Sequence, residues 1–138
     1  MQEYTRILIV DDNIELAFIL QMIVEAEGYD VRTAKDGREG YFTYLLFRPD
    51  LVISDLQMPG TSGFDLIRQI RDYDPNVKAI YMSADLGALQ SLPEEERQKR
   101  SVRLLEKPFS KAELIHLISD ELRRGATIED RTPRAASK

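Results

Sequence analysis

An α/β domain with a five-stranded parallel sheet and helices on both faces is what three features of the sequence predict. Short unbroken apolar runs, Ile7-Leu8-Ile9-Val10 and Leu51-Val52-Ile53, lack the alternation of a one-sided sheet and suit strands buried on both faces. Helical patterns separate such runs in strict alternation, the order expected of β–α–β units. Polar residues stand directly behind the runs: Asp11-Asp12, Asp55, Ser83 and Lys107.

The elements follow in order. Behind Ile7–Val10, residues Leu16, Ile19, Leu20, Ile23 and Val24 repeat at helical spacing and predict one core-facing stripe. Asp12 or Asn13 can cap this helix, and Gly28 is placed to end it in the left-handed conformation. Val31-Arg32-Thr33 reads as a second strand, and Asp36 caps a helix running to about Phe47. After the break at Arg48-Pro49-Asp50, the third strand covers Leu51 to Ser54, and Pro59-Gly60 forces a loop. A third helix carries Leu66, Ile67 and Ile70 and stops before Asp74-Pro75; Val77 to Met82 forms the fourth strand. Val102 to Leu105 is the fifth strand, and Ser110 with Glu113 makes a capping box for a last helix with Leu114, Leu117, Ile118 and Leu122 inside.

Two segments read differently. Pro93, Glu94 to Glu96, and then Arg97, Lys99 and Arg100 place charges that complement a helix dipole, so a short polar helix is expected from Pro93. Residues 1–124 therefore form one domain with five helices, and 125–138, with one large apolar residue, form a disordered tail.

Composition narrows the function. The 138 residues suffice for one domain, and 24 acidic against 19 basic residues, net −5, argue against direct nucleic-acid binding. With no cysteine, disulfides, thiolate metal sites and cysteine nucleophiles are excluded. Neither a membrane-length apolar stretch nor a signal-peptide pattern is present, so the chain reads as soluble and cytoplasmic.

In open parallel sheets, ligands bind beyond the carboxyl ends of the strands. Asp11, Asp12, Asp55, Ser83 and Lys107 all fall there. Three carboxylates brought together repel one another, and a hard divalent cation would relieve this. Any one Asp after a strand is more often a helix cap than a ligand. Capping does not explain Asp55, because Pro59-Gly60 intervenes before the next helix.

Asp11-Asp12, D-L-Q-M-P-G-T-S-G from Asp55 to Gly63, Met82-Ser83-Ala84 and Lys107-Pro108-Phe109 together resemble the receiver domain of two-component response regulators. The likeness spans roughly residues 5 to 124. It implies a flavodoxin-like doubly wound sheet of strand order 2-1-3-4-5. It also implies that Asp55 accepts a phosphoryl group from a phosphohistidine on a sensor histidine kinase or phosphotransfer protein. Asp11, Asp12, Asp55 and the backbone carbonyl of Gln57 would hold Mg2+, with Mn2+ as a substitute. Lys107 would face the phosphoryl group, Ser83 would move towards it, and Lys107-Pro108 would be cis. Gln57 and Asp85 would govern how long the phosphoryl group survives.

Such a protein is a signalling switch that catalyses only its own phosphorylation and dephosphorylation. Leu104 departs from the family, which places an aromatic residue three before the lysine, and the polar 93–100 segment departs too. Homodimerisation through that face stays open. Nothing after Gly125 resembles a DNA-binding or catalytic domain, so as written the chain reads as a stand-alone regulator, with a receiver cut from a longer regulator as the other form. Two rival classes are a binding module that has lost the chemistry and a haloacid-dehalogenase-like phosphatase. The latter needs a carboxylate at the position of Gln57. His116 and the aromatic group Tyr41, Phe42, Tyr44 and Phe47 read as boundary and packing residues.

Overall fold

The computed structural model describes residues 4–85, 87, 94 and 103–124. In chain order the elements are β1 (Arg6–Val10), α1 (Ile14–Glu25), β2 (Asp30–Ala34), α2 (Gly37–Phe47), β3 (Leu51–Asp55), α3 (Gly63–Tyr73), β4 (Ala79–Ser83), β5 (Leu104–Glu106) and α4 (Lys111–Arg123). All four strand pairings are parallel, in the order β2-β1-β3-β4-β5. This is the flavodoxin-like arrangement, with four helices among the described residues. Apart from Glu94, the expected helix from Pro93 lies outside those residues, as does the tail from Gly125.

Strand alternation divides the core into two layers. Leu8, Val10, Val52 and Tyr81 pack with Tyr44 of α2 and Leu66, Ile67 and Ile70 of α3. Ile7, Ile9, Leu51, Ile53, Ile80, Met82 and Leu105 pack with Leu20 and Val24 of α1 and Leu114 and Ile118 of α4. Burial on both faces accounts for the unbroken apolar runs.

Side-chain caps start the helices. Asn13 accepts from the Leu16 N–H at 3.1 Å, Asp36 from Glu39 at 2.8 Å and Ser62 from Asp65 at 3.1 Å. Ser110 and Glu113 form the expected capping box. Of the two candidates for α1, Asn13 is the cap, which leaves Asp12 exposed beyond it.

Some boundaries differ from the sequence reading. β4 begins at Ala79 rather than Val77, because the Val77 N–H bonds to the Asp74 carbonyl at 3.1 Å and holds 74–77 in a turn. β5 extends to Glu106, and Val102 is outside the described residues. Gly28 is left-handed, with φ 97°, but follows the α1 cap, Ala26, by two positions.

A larger correction concerns α1. Leu20 and Val24 are buried as expected, with Leu16 and Ile23 packed beside them and Ala17 completing the inner face. Ile19, assigned to that face from its spacing, is 51% exposed. At 100° per residue it lies at the edge of the stripe, about 100° from Leu20. Ile14, Phe18 and Met22 are also more than half exposed, so α1 carries a second apolar stripe turned away from the sheet.

Candidate functional site

The site lies at the carboxyl ends of β1, β3 and β5, and strand alternation explains its composition. Ile9, Ile53 and Leu105 point into the α1–α4 layer, and two residues further along come Asp11, Asp55 and Lys107. The ladder continues through these ends: the Asp11 N–H bonds to the Ala34 carbonyl at 3.0 Å and the Lys107 N–H to the Ser83 carbonyl at 2.8 Å. The apolar face of each strand therefore ends in a charged group, and the three groups meet.

Lys107 Nζ lies 3.3 Å from Asp11 Oδ2 and 3.3 Å from Asp55 Oδ2. Asp11 is fully buried and Asp55 nearly so. The other Asp11 oxygen, Oδ1, accepts from the Asn13 N–H at 2.9 Å, and the Gln57 backbone N–H favours the charged form of Asp55. Asp11, Asp12 and Asp55 each offer a carboxylate oxygen within 4.8 Å of the others. Three carboxylates facing one ammonium leave an excess of negative charge. An all-oxygen donor set of this kind fits a hard cation such as Mg2+ or Mn2+.

Burial raises the Asp55 pKa above the usual carboxylate range; the Asp11 charge adds to this, while Lys107 and the Gln57 N–H oppose it. A carboxyl with a higher pKa when folded favours folding below its unfolded pKa. That contribution is lost as pH rises through the folded pKa. Ionising Asp55 as the pH rises is therefore a cost. In metal-free buffer at pH 7, Asp55→Asn is expected to raise the melting temperature by about 3 °C, with the gain shrinking towards pH 4. Thermal melts at the two pH values check this; an unchanged or lower value at pH 7 would refute it.

Ser83 is on the opposite alternation, following Tyr81, and is almost fully buried. Its hydroxyl accepts from the Asp85 N–H at 3.0 Å and donates to the Asp85 carbonyl at 3.4 Å. The Asp85 carboxylate accepts from the Gly87 N–H at 2.8 Å. The structure thus joins Asp11, Asp12, Asp55 and Lys107, sets Ser83 at the end of β4 with its hydroxyl on the Asp85 backbone, and leaves the Gln57 side chain exposed. Lys107-Pro108 is cis. Leu104 packs against the α2–α3 layer, and His116 is exposed.

Two contacts went unread in the sequence. A Cβ added to Gly63 would stand 2.1 Å from the Asp55 carbonyl oxygen, and one added to Gly37 would stand 2.6 Å from two carbons of Thr61. Asp36-Gly37 and the G-T-S-G run of residues 60–63 mark both places, but which atoms approach them depends on tertiary packing.

A family model described as the response regulator receiver domain matches residues 7–119. The chain belongs to this family. It is 34% identical over 115 residues to the chemotaxis protein CheY of Thermotoga maritima, covering 83% of this chain and 94% of that one. It is 33% identical over 119 residues to the DNA-binding response regulator MtrA of Mycobacterium tuberculosis, covering 86% of this chain but 51% of MtrA. It is 27% identical over 124 residues to the transcriptional regulatory protein TrcR of the same species, covering 90% of this chain and 48% of TrcR. The chain thus spans about half the length of these two regulators.

Solved structures agree in fold. A response regulator receiver domain protein of Clostridium thermocellum superposes with TM-score 0.77 at 25% identity, covering 87% of this chain and 95% of that one. TrrA of Thermotoga maritima, solved in complex with Mg(2+)-BeF, gives 0.75 at 29% identity, covering 84% and 97%. The family makes this chain a signalling module of two-component systems. Among the described residues, no helix is long and apolar enough to cross a membrane.

Proposed function

We propose that this chain is a phosphoacceptor switch in which Asp55 takes a phosphoryl group from a phosphohistidine on a sensor histidine kinase or phosphotransfer protein. The observation that carries this is the buried Asp55 carboxylate, paired with Lys107 and grouped with Asp11 and Asp12. An Asp55 oxygen forms the new bond to phosphorus as the bond from phosphorus to the imidazole nitrogen breaks, and the ring nitrogen recovers its lone pair. Charge on the equatorial oxygens dominates such a transfer, so positioned cations supply most of the catalysis. Asp11, Asp12, Asp55 and the Gln57 carbonyl would hold Mg2+ or Mn2+, which would neutralise that charge. Lys107 supplies the second positive charge, as a point charge able to follow a moving oxygen.

Ser83 then leaves the Asp85 backbone to donate to a phosphoryl oxygen, and the chain beyond β4 rearranges to alter a protein-binding surface. Gln57 and Asp85 flank the path of the attacking water. The Mg(2+)-BeF complex of TrrA supports this reading of the acidic site. The setting is cytoplasmic, and the net charge of −5 argues that this chain does not itself bind nucleic acid.

The test is intact-protein mass after incubation with acetyl phosphate. A single phosphoryl adduct requiring both Mg2+ and Asp55 is expected. Absence of any adduct, together with no binding of beryllofluoride, would refute the proposal.

The outward stripe of α1 suits the donor's approach. Ile14 follows the Asn13 cap directly, and Phe18 and Met22 extend the exposed apolar surface away from the acids. A donor helix resting there would bring its histidine over Asp55. Phe18→Ala is expected to slow transfer from the protein donor about tenfold, while leaving the acetyl phosphate reaction unchanged. Equal slowing of both reactions would exclude a docking role.

A further inference from the structure

We propose that the first residue of α2 belongs to the scaffold of the cation and phosphoryl site: Gly37, by leaving room for the Thr61 side chain, sets the position of the 56–62 loop and through it of Gln57. The inference rests on the reading of Asp55 and its neighbours as a cation-dependent phosphoryl acceptor.

A Cβ on Gly37 would lie 2.6 Å from both Cβ and Cγ2 of Thr61 and 3.4 Å from its Oγ1. Conformation does not demand glycine here, because Gly37 is absent from the positive-φ glycines, Gly28 and Gly60. Intrinsic helix propensity favours alanine over glycine. The space taken by Thr61 gives glycine its physical role.

If that space were filled, either the helix or the loop would have to yield. α2 is wedged one turn further on, where a Cβ on Gly40 would already stand 3.1 Å from Leu66 and 3.2 Å from Val10. Its start is held by the Asp36 cap, and Tyr44 and Phe47 are buried at its far end. The loop is pinned at its two ends, with the Leu56 N–H on the Met82 carbonyl and the Gly63 N–H on the Leu56 carbonyl, both at 2.9 Å. Between them, the Thr61 N–H bonds to the Pro59 carbonyl at 3.1 Å, so residues 59–61 move as a tight turn. Displacement at Thr61 passes to exposed Gln57, two residues after Asp55, whose carbonyl is the assigned cation ligand.

The experiment compares Mn2+ binding, followed by the paramagnetic resonance of the free ion, in wild type, Gly37→Ala, Thr61→Gly, the double variant and Gly40→Ala. Amide exchange at Gln57 in the metal-free proteins and a thermal melt of each accompany it. Gly37→Ala is expected to weaken Mn2+ binding about tenfold and to speed exchange at Gln57. Thr61→Gly, which introduces no clash, leaves a gap and weakens binding about threefold. In the double variant the alanine methyl replaces the lost Thr61 atoms, and binding recovers most of the loss, a coupling expected only of residues in contact. Gly40→Ala meets core side chains instead and leaves Mn2+ binding as in wild type.

Unchanged Mn2+ binding by Gly37→Ala, or no recovery in the double variant, would overturn the inference while leaving the cation site standing. A wild-type protein that binds no Mn2+ would overturn both.

Discussion

Exchanging Lys107 for alanine is expected to separate cation binding from phosphoryl acceptance, tightening Mn2+ binding at least about tenfold while slowing the acetyl phosphate reaction by about 10² to 10³. The two effects share one cause. The ammonium stands 3.3 Å from an oxygen of Asp11 and 3.3 Å from an oxygen of Asp55, both proposed cation ligands. A divalent ion entering the site meets a positive charge already bound to its ligands. Removing that charge strengthens the attraction of all three carboxylates; even after screening, a residual of about 1.4 kcal/mol would give the tenfold gain. The phosphoryl oxygens, by contrast, lose their only protein-borne cation among the described contacts of Asp55. Lys107→Arg should not restore transfer, because a planar guanidinium is wider and directionally fixed where a compact ammonium fits between two carboxylates. Titration with Mn2+ and phosphorylation rates measured on the same samples check both arms. Unaltered metal affinity in Lys107→Ala would show that the lysine does not compete for the site.

Gly63→Ala is the second large effect expected, and it acts on the backbone. The added methyl would lie 2.1 Å from the Asp55 carbonyl oxygen, 3.0 Å from its carbonyl carbon and 2.9 Å from Ser54 Oγ. A side-chain clash can be relieved by a rotamer change, but a carbonyl at the end of a central strand cannot turn aside. β3 is paired with β1 and β4, and the Gly63 N–H is bonded to the Leu56 carbonyl at 2.9 Å, so both sides of the contact are held. A loss of about 3 kcal/mol, near the upper end for overpacking, corresponds to a fall in melting temperature of roughly 10 °C. Because Asp55 carries the strained carbonyl, phosphoryl acceptance should fall as well, even at temperatures where the variant is folded. A melting temperature within about 2 °C of wild type would mean that α3 shifts freely and that the contact positions nothing. The helix start thus abuts the backbone of the residue that the proposed reaction uses.

Much of this molecule is legible in its residues. Apolar runs without alternation announced strands covered on both faces, and every described strand contains residues from the run assigned to it. Caps were legible because they are local: Asp36, and Ser110 with Glu113, satisfy N–H groups only three residues away. The acidic and basic groups were readable for a related reason. Once the runs are strands of one parallel sheet, the residues that follow them must gather at one end.

Periodicity was less secure on α1. Its sequence is apolar nearly all round, so spacing admits more than one stripe, and only the position of the sheet selects Leu20 and Val24 over Ile19. The start of β4 has a comparable cause, since Val77 has strand character but its N–H is taken by a turn.

What the sequence by itself determined, then, is the order of the elements, the two-sided core and the set of charged groups delivered to one edge, because each follows from patterns a few residues long. Tertiary structure alone decided how those groups meet. Lys107 reaches Asp11 across 96 residues and Asp55 across 52. Gly63 fits against the Asp55 carbonyl, Gly37 makes room for Thr61, and the second stripe of α1 faces outward. Close approach and exposure are properties of packed surfaces, and no local pattern contains the neighbour that completes them.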